Sequence, residues 1–232
     1  MAKKEDIKDI FNDIDPKYDL LNHLLSLNID KRWRRKAMKY IAETEKGRLL
    51  DVACGTGDFS VAAHKVGVKQ VNGIDISSNM VEVGRRKVKE LGLEQSVDLQ
   101  VGDSEQMSFA DSTFDVVTVA FGVRNFEHLE IGLKEMNRVL RPGGKVIILE
   151  FSTPEYFPMR QLYLFYFRHI LPIIGGWISG NKGAYNYLPA SVMRFPQGET
   201  FLRILKNCGF VSPIQQKLTG GIASIYVARK EA

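Results

Sequence analysis

Residues 48–58 read RLLDVACGTGD, which is an apolar strand followed by a turn of small residues and the start of a helix. The turn has almost no side-chain bulk, so its backbone can approach a ligand closely and its glycines can adopt positive φ angles without strain. The following helix directs its free N–H groups and its positive dipole end toward that ligand. The stretch therefore predicts a site for a carboxylated, phosphorylated or ribosylated molecule around Asp51, Gly55, Thr56 and Gly57.

Two further acidic residues stand at the ends of the next two predicted strands. Asp75 ends the strand predicted over 70–75, and Asp103 with Ser104 follows the strand predicted over 97–101. An acid about 20 residues beyond a glycine-rich turn typically binds ribose hydroxyls, and the next one could accept from an adenine amino group. The three strand ends resemble the S-adenosylmethionine site of class I methyltransferases. A dinucleotide enzyme stays an alternative, although the turn lacks the GxGxxG pattern.

The chain has 232 residues, 44% of them hydrophobic, which fits one α/β domain with a large core spanning residues 1–232. From residue 48 onward strands and helices alternate, which indicates a Rossmann-like, mostly parallel sheet with helices on both faces. Seven strands, of which one is antiparallel, are predicted over 48–53, 70–75, 97–101, 114–120, 145–150, 210–217 and 222–229. Helices are predicted over 58–66, 78–91, 129–140 and 197–208. The sequence RPGG at 141–144 predicts a left-handed glycine cap at the end of the third of these helices.

Two segments lie outside this alternation. Residues 1–47 are predicted as a cap of three helices, the third capped by Asp30 and carrying six basic residues between Lys31 and Lys39. This basic run is either a solvated surface or a face that contacts an anionic membrane. Residues 152–197 are dense in aromatic side chains, which either pack in the core or form a lid over an apolar substrate.

Composition narrows the function classes. The net charge is +5, but the chain has neither the Pro-Pro-aromatic element nor the Pro-Cys nucleophile of nucleic-acid methylases, so no nucleic-acid partner is expected. Cys54 and Cys208 have no metal-ligand spacing, and no metal is expected. No signal peptide is visible, and no uncharged apolar run reaches the about 18 residues that span a bilayer. We expect a cytoplasmic protein, with peripheral contact to the inner membrane surface, and a homodimer.

Further stretches carry a resemblance to one family. They are YDLLNHLLSLNIDKRWR at 18–34, FGVRN at 121–125, RVLRPGG at 138–144 with LEFS at 149–152, and YNYL at 185–188. On these stretches the whole chain resembles the ubiquinone/menaquinone biosynthesis C-methyltransferases, which methylate a prenylated quinol ring. The resemblance implies S-adenosylmethionine as cofactor and demethylmenaquinol as acceptor, with a benzoquinol or another apolar small molecule as alternatives. The chain departs from the family pattern at Leu21, Asn28, Asp30 and Ala120.

The expected cofactor contacts follow from position. Thr56 is expected at the carboxylate end, Asp75 at the ribose, and Asp103 with Ser104 at the adenine. The cofactor set is completed by Ile76 and by Ala120, where some members of the family have a serine.

Four residues are expected near the acceptor. Arg124 is expected either to stabilise the quinolate as a fixed positive charge or to tie down a loop, and Asn125 to position the ring hydroxyl. Tyr18 and His169 are candidates for a proton relay, although a lone histidine among aromatic residues is more often packed than catalytic.

Overall fold

The computed structural model describes residues 29–44, 47–166 and 190–232. Its helices are α1 (Ile29–Ala42), α2 (Asp58–Lys65), α3 (Ser78–Glu90), α4 (Leu129–Val139), α5 (Met159–Phe165) and α6 (Glu199–Asn207). Its strands are β1 (Arg48–Val52), β2 (Gln70–Asp75), β3 (Val97–Val101), β4 (Phe114–Ala120), β5 (Leu140–Phe151), β6 (Phe210–Leu218) and β7 (Ala223–Lys230). Short 3₁₀ turns cover Val123–Asn125 and Thr219–Gly221.

The seven strands form one sheet in the order β3-β2-β1-β4-β5-β7-β6. The first five strands in this order pair in parallel, and β7 is antiparallel to both of its neighbours. The predicted α/β sheet with one antiparallel strand is therefore confirmed. The strand order reverses at β1, which lies between β2 and β4, and ligands of such sheets bind beyond the carboxyl ends of the strands at this switch point.

Two apolar cores lie on the two faces of the sheet. Alternate residues of a strand point to opposite faces, so Val146 and Ile148 of β5 belong to one core, while Ile147 and Leu149 belong to the other. The first core also contains apolar residues of α4 and α6, and the second contains those of α1, α2 and α3. This two-sided burial holds the carboxyl ends of the strands in fixed positions.

The end of α4 differs from the prediction. Leu140 takes extended backbone (φ −68°, ψ 142°) directly after Val139, so the helix ends before the RPGG sequence. Strand β5 begins at Leu140 rather than at residue 145, and its pairing with β4 shifts register between Phe114 and Val116. Gly143 does have a left-handed φ of 74°, but it lies in this irregular part of β5 and not at the end of a helix. The predicted left-handed cap is wrong because the chain enters the sheet directly from the helix.

The described part of α1 begins at Ile29. Asp30 lies in its first turn and pairs with Arg34 at 3.6 Å. The first two predicted N-terminal helices and residues 167–189 of the aromatic insert lie outside the described residues. In the part of the chain that is described, no helix combines the length and the apolar character needed to cross a membrane.

Candidate active site

A cleft opens at the carboxyl ends of β1, β2, β3 and β4. Eight of the nine predicted cofactor residues line it: Asp51, Gly55, Thr56, Asp75, Ile76, Asp103, Ser104 and Ala120. The ninth, Gly57, lies just behind the cleft, where its left-handed backbone (φ 78°) begins α2. A Cβ at Gly57 would lie 2.8 Å from Leu99 Cδ1, so this turn requires glycine for space as well as for φ.

Two residues that are not glycine adopt a left-handed backbone conformation just beyond the carboxyl ends of β1 and β4. Ala53 follows β1 with a φ of 53°, and Phe121 follows β4 with a φ of 61°. The two turns lie so close together that a Cβ at Gly122 would come within 2.5 Å of the Ala53 Cβ. Such backbone costs about 1–3 kcal/mol per residue and persists only where the surrounding structure enforces it. Pairing of β1 with β4 supplies that constraint here.

The buried carboxylate of Asp51 is held by two hydroxyl groups. Ser60 Oγ donates to Oδ2 at 2.6 Å, and Thr118 Oγ1 donates to Oδ1 at 2.9 Å. Burial raises the pKa of Asp51 to about 6, and the two hydrogen bonds and the charge of Arg34 oppose that rise. This carboxylate therefore carries its negative charge at neutral pH on the floor of the cleft.

Asp75 organises the backbone around the glycine turn. Its Oδ2 accepts from Gly55 N at 2.8 Å, and its Oδ1 accepts from Ser77 N at 2.9 Å. Burial raises the pKa of Asp75, and these backbone N–H groups oppose the rise. The carboxylate also accepts from the backbone N–H of Ile76. Since a carboxylate has about four acceptor sites, Asp75 keeps capacity for a ribose hydroxyl group. Asp103 is arranged in a similar way, with Oδ1 accepting from Glu105 N at 2.8 Å.

Thr56 stands at the entry to α2. Its Oγ1 accepts from Lys87 Nζ at 3.0 Å, and the same ammonium pairs with Asp58 at 2.7 Å. Thr56 lines the cleft at this helix N-terminus, which is consistent with the predicted contact to a carboxylate.

The lining of the cleft is acidic although the chain is basic. Among the described residues, the lining has two guanidinium groups, Arg34 and Arg124. It has seven carboxylates, those of Asp30, Asp51, Asp58, Asp75, Asp103, Glu105 and Glu127. This charge suits the ammonium and sulfonium groups of S-adenosylmethionine and disfavours the pyrophosphate of a dinucleotide. No cluster of three or more metal-ligating side chains occurs within residues 29–44, 47–166 and 190–232.

Arg124 forms a buried ion pair with Glu150 at the end of β5. Its Nη1 donates to Glu150 Oε1 at 2.9 Å, and its backbone N donates to Oε2 at 3.2 Å. The guanidinium also donates to Ser191 Oγ at 3.2 Å and to the carbonyl of Phe121. The side chains of Arg124 and Glu150 are 3% and 0% exposed. Arg124 therefore ties down the loop after β4, and its charge is compensated by Glu150.

An aromatic wall, formed by Trp33, Phe121 and Phe151, stands beside this loop. The rings of Phe121 and Phe151 lie 4.6 Å apart, and each is about 6 Å from the ring of Trp33. Trp33 Nε1 donates to Thr219 Oγ1 at 2.8 Å, which fixes the indole. Phe121 and Phe151 line the cleft, so the wall gives one side of the cleft a rigid apolar surface.

The structure brings Arg124 and Asn125 to the cleft, whereas Tyr18 and His169 lie outside the described residues. Sequence reasoning missed Glu150, Arg34, Ser60 and Thr118 as parts of the site. The sequence does point to Glu150, because it is a carboxylate at the end of an apolar strand. Asp51 and Asp75 likewise lie at or next to the ends of their strands. Spacing could have placed Arg34 beside Asp30, four residues earlier on the same helix face. Nothing in the sequence singles out the two hydroxyl residues.

Several solved structures with this architecture are titled methyltransferases. Haemonchus contortus phosphoethanolamine N-methyltransferase 2, solved in complex with S-adenosyl-L-methionine, has a TM-score of 0.66 at 16% identity, covering 87% of this chain and 53% of that chain. A SAM dependent methyltransferase from Aquifex aeolicus has a TM-score of 0.58 at 21% identity, covering 84% and 88%. At these identities the likeness concerns the fold, which is that of the class I methyltransferases.

Sequence comparison gives the family. A family model described as the ubiE/COQ5 methyltransferase family matches residues 1–230. A demethylmenaquinone methyltransferase of Bacteroides fragilis is 44% identical over 229 residues, covering 98% of this chain and 94% of that protein. A ubiquinone/menaquinone biosynthesis C-methyltransferase UbiE of Geotalea uraniireducens is 47% identical over 230 residues, covering 98% and 97%. The chain belongs to the ubiE/COQ5 methyltransferase family, which confirms the resemblance in its sequence motifs.

Proposed function

We propose that this methyltransferase binds S-adenosylmethionine in the cleft and methylates a ring carbon of a prenylated quinol, converting demethylmenaquinol to menaquinol. The relatives named above support the acceptor class through their names. The single structural observation that carries the proposal is the aromatic wall, because a flat apolar ring needs a flat apolar surface beside the methyl donor. A benzoquinol precursor of ubiquinone is the second candidate, since the name of the Geotalea relative includes both quinones.

The cleft residues fit the proposed cofactor. Asp75 has acceptor capacity for ribose hydroxyls, Asp103 lies one strand further for the adenine, and Asp51 faces the opposite end. This order across β3, β2 and β1 supports a cofactor that extends along the carboxyl edge of the sheet, with its methionine end toward β4. Bound there, S-adenosylmethionine supplies an electrophilic methyl group on a positively charged sulfur.

The remaining roles fall to the loop after β4. A phenolic ring carbon becomes nucleophilic as its hydroxyl loses a proton, so the enzyme must stabilise a developing oxyanion. Arg124 is fixed by Glu150 before any ligand arrives, so its N–H groups act as preorganised donors rather than as an uncompensated charge. Asn125, on the same 3₁₀ turn, is proposed to orient the ring hydroxyl. Tyr18 and His169 stay candidates for the proton relay.

The test is transfer of a labelled methyl group from S-adenosylmethionine to reduced demethylmenaquinone and, separately, to a reduced demethylated benzoquinone. We expect transfer to the first. Asp75→Asn should weaken cofactor binding by roughly 10–100-fold, because a hydrogen bond to a charged group is lost. The matched control is Asp98→Asn on the exposed side of β3, which should change nothing. Cofactor binding without transfer to either quinol would contradict the proposed acceptor.

We also propose that the mouth of the cleft faces an anionic membrane, where the prenylated substrate resides. The exposed basic residues of α1 are Lys31, Arg32, Arg35, Lys36 and Lys39. Tyr156 and Phe157, which are 73% and 81% exposed, precede α5. The turn Thr219–Gly221 links the two regions, since Trp33 hydrogen-bonds to Thr219 and the side chain of Met159 packs near Gly220.

Vesicle sedimentation tests the membrane proposal. Each basic side chain near an anionic surface contributes about 1 kcal/mol, so reversing Arg35 and Lys36 to Glu should weaken binding to phosphatidylglycerol vesicles by roughly tenfold or more. Lys89→Glu on α3 is the control for a change in net charge. Equal binding to phosphatidylcholine and phosphatidylglycerol vesicles would contradict the electrostatic part of the proposal.

A further inference from the structure

Arg34 of α1 lines the cleft on the side where β1 and β4 end. Its guanidinium lies 5.6 Å from the ring centroid of Phe121, the residue that follows β4. Its charge also acts on Asp51 near the end of β1, where burial raises the pKa and Arg34 is among the groups that oppose the rise. Arg34 therefore lies at the end of the cleft opposite to Asp103.

The hydrogen-bonding capacity of Arg34 is incompletely used. Its Nε is buried and donates no hydrogen bond within the described residues. Asp30 Oδ2 lies 3.6 Å away, which is close enough for an ion pair and too far for a hydrogen bond. Arg124, the other guanidinium that lines the cleft among these residues, is already held by Glu150, Ser191 and the Phe121 carbonyl. Arg34 therefore has an unused N–H donor that can receive an anionic group.

We propose that Arg34 binds the carboxylate of the methionine moiety of S-adenosylmethionine. This inference rests on the proposed cofactor and is independent of the acceptor. With the nucleoside at Asp75 and Asp103, the amino-acid end of the cofactor extends toward β1 and β4, where Arg34 stands. A guanidinium fork matches the two oxygens of a carboxylate, and Asp51 and Asp30 beside it suit the neighbouring ammonium group.

The packing of α1 makes Arg34 a rigid partner. Neighbouring residues Trp33, Ala37, Met38 and Ile41 of the helix are buried in the core shared with β5 and β7. The phenyl ring of Phe121 supports the guanidinium face and leaves its edge for hydrogen bonds. Because the arginine is held before the ligand arrives, little side-chain entropy is lost on binding.

The test compares two probes that differ only in the carboxylate. S-adenosylhomocysteine carries it, and the decarboxylated analogue, which ends in a primary amine, lacks it. Calorimetric titration should show that Arg34→Ala weakens binding of S-adenosylhomocysteine by roughly 10–100-fold. Binding of the decarboxylated analogue should be unchanged or tighter, because a cation near its ammonium group has been removed. Arg34→Gln should show the same pattern while keeping more of the packing on Phe121.

Arg86→Ala is the matched control, since this arginine is exposed on α3 and lies outside the lining of the cleft. It should leave both affinities within about twofold of the wild-type values. If Arg34→Ala and Arg34→Gln weaken both probes equally, or weaken neither, the proposal is overturned. If the wild-type protein binds neither probe, the proposed cofactor fails instead, and the two failures are thereby distinguished.

Discussion

Replacing Glu150 with glutamine is the sharpest test of the structure, because it changes one charge and almost no shape. The carboxylate is fully buried and accepts three hydrogen bonds: two from the backbone and guanidinium of Arg124 and one from Phe151 N at 2.8 Å. In Glu150→Gln one of the two oxygens becomes an NH₂ group, which cannot accept from an N–H. The guanidinium of Arg124, 3% exposed, would then lie buried without a compensating charge.

Removing one partner of a buried ion pair costs about 3–5 kcal/mol, which is a large part of the about 5–15 kcal/mol that stabilises a native protein. We expect Glu150→Gln to lower the free energy of unfolding by that amount. In a protein of this length the midpoint of thermal unfolding should fall by about 6–20 °C. Urea denaturation followed by circular dichroism measures the first quantity, and calorimetry measures the second.

The matched control is Glu155→Gln, which makes the same substitution in an exposed pair. Glu155 binds Lys217 at 2.7 Å, and their side chains are 57% and 43% exposed. Exposed pairs contribute about 0–1 kcal/mol, so this variant should stay close to the wild type. Combining Glu150→Gln with Arg124→Gln should recover about 1–3 kcal/mol, because no buried charge is left uncompensated. A loss below about 1 kcal/mol in Glu150→Gln would refute the buried pair.

Three further predictions concern the cleft. The folded-state pKa of Asp51, about 6, lies above the usual value of 3.8, so the stability that this group contributes is complete below about pH 4 and is lost as the pH rises through 6. The free energy of unfolding of Asp51→Asn, measured by urea denaturation, should therefore rise by about 3 kcal/mol relative to that of the wild type between pH 4 and pH 7. A difference between the two proteins that stays constant over this range would contradict the raised pKa. Gly122→Ala should weaken S-adenosylhomocysteine binding by more than about tenfold, because its Cβ would force the two turns apart, whereas Gly92→Ala, with open space around it, should only cost stability. In Trp177→Phe, where Trp33 is the remaining tryptophan of the chain, ligand titration should still change the fluorescence, since Trp33 packs against the cleft residue Phe121; an unchanged signal in this variant would contradict this placement.

Local sequence was sufficient for most of the fold. Strand β4 was predicted over 114–120 and is observed at Phe114–Ala120, because an apolar run between turn residues contains its own boundaries. The start of β5 could not be predicted in this way. Leu140 is extended because Phe114 pairs with it across the sheet, and that partner is 26 residues away in the chain. A helix-capping signal at 141–144 was therefore overridden by strand pairing.

The candidate site also combines features that the sequence predicts with features that depend on how the strands and helices pack. Asp75 and Asp103 were predicted to meet because parallel strands place their carboxyl ends at one edge of the sheet, and both line the cleft. The ion partner of Arg124 was not predicted, because it depends on β5 lying beside β4. The basic run in α1 was treated as one surface, whereas the helix turns Arg34 inward and leaves Arg35 outside.

The acidic lining of the cleft has a consequence for turnover. A methyl donor enters with a positively charged sulfur and leaves, after transfer, with a neutral one. A cleft in which carboxylates outnumber guanidinium groups attracts the donor more strongly than the spent product. In the proposed reaction the chemical step therefore weakens binding of the nucleoside, and we expect the acidic lining also to limit inhibition by the product.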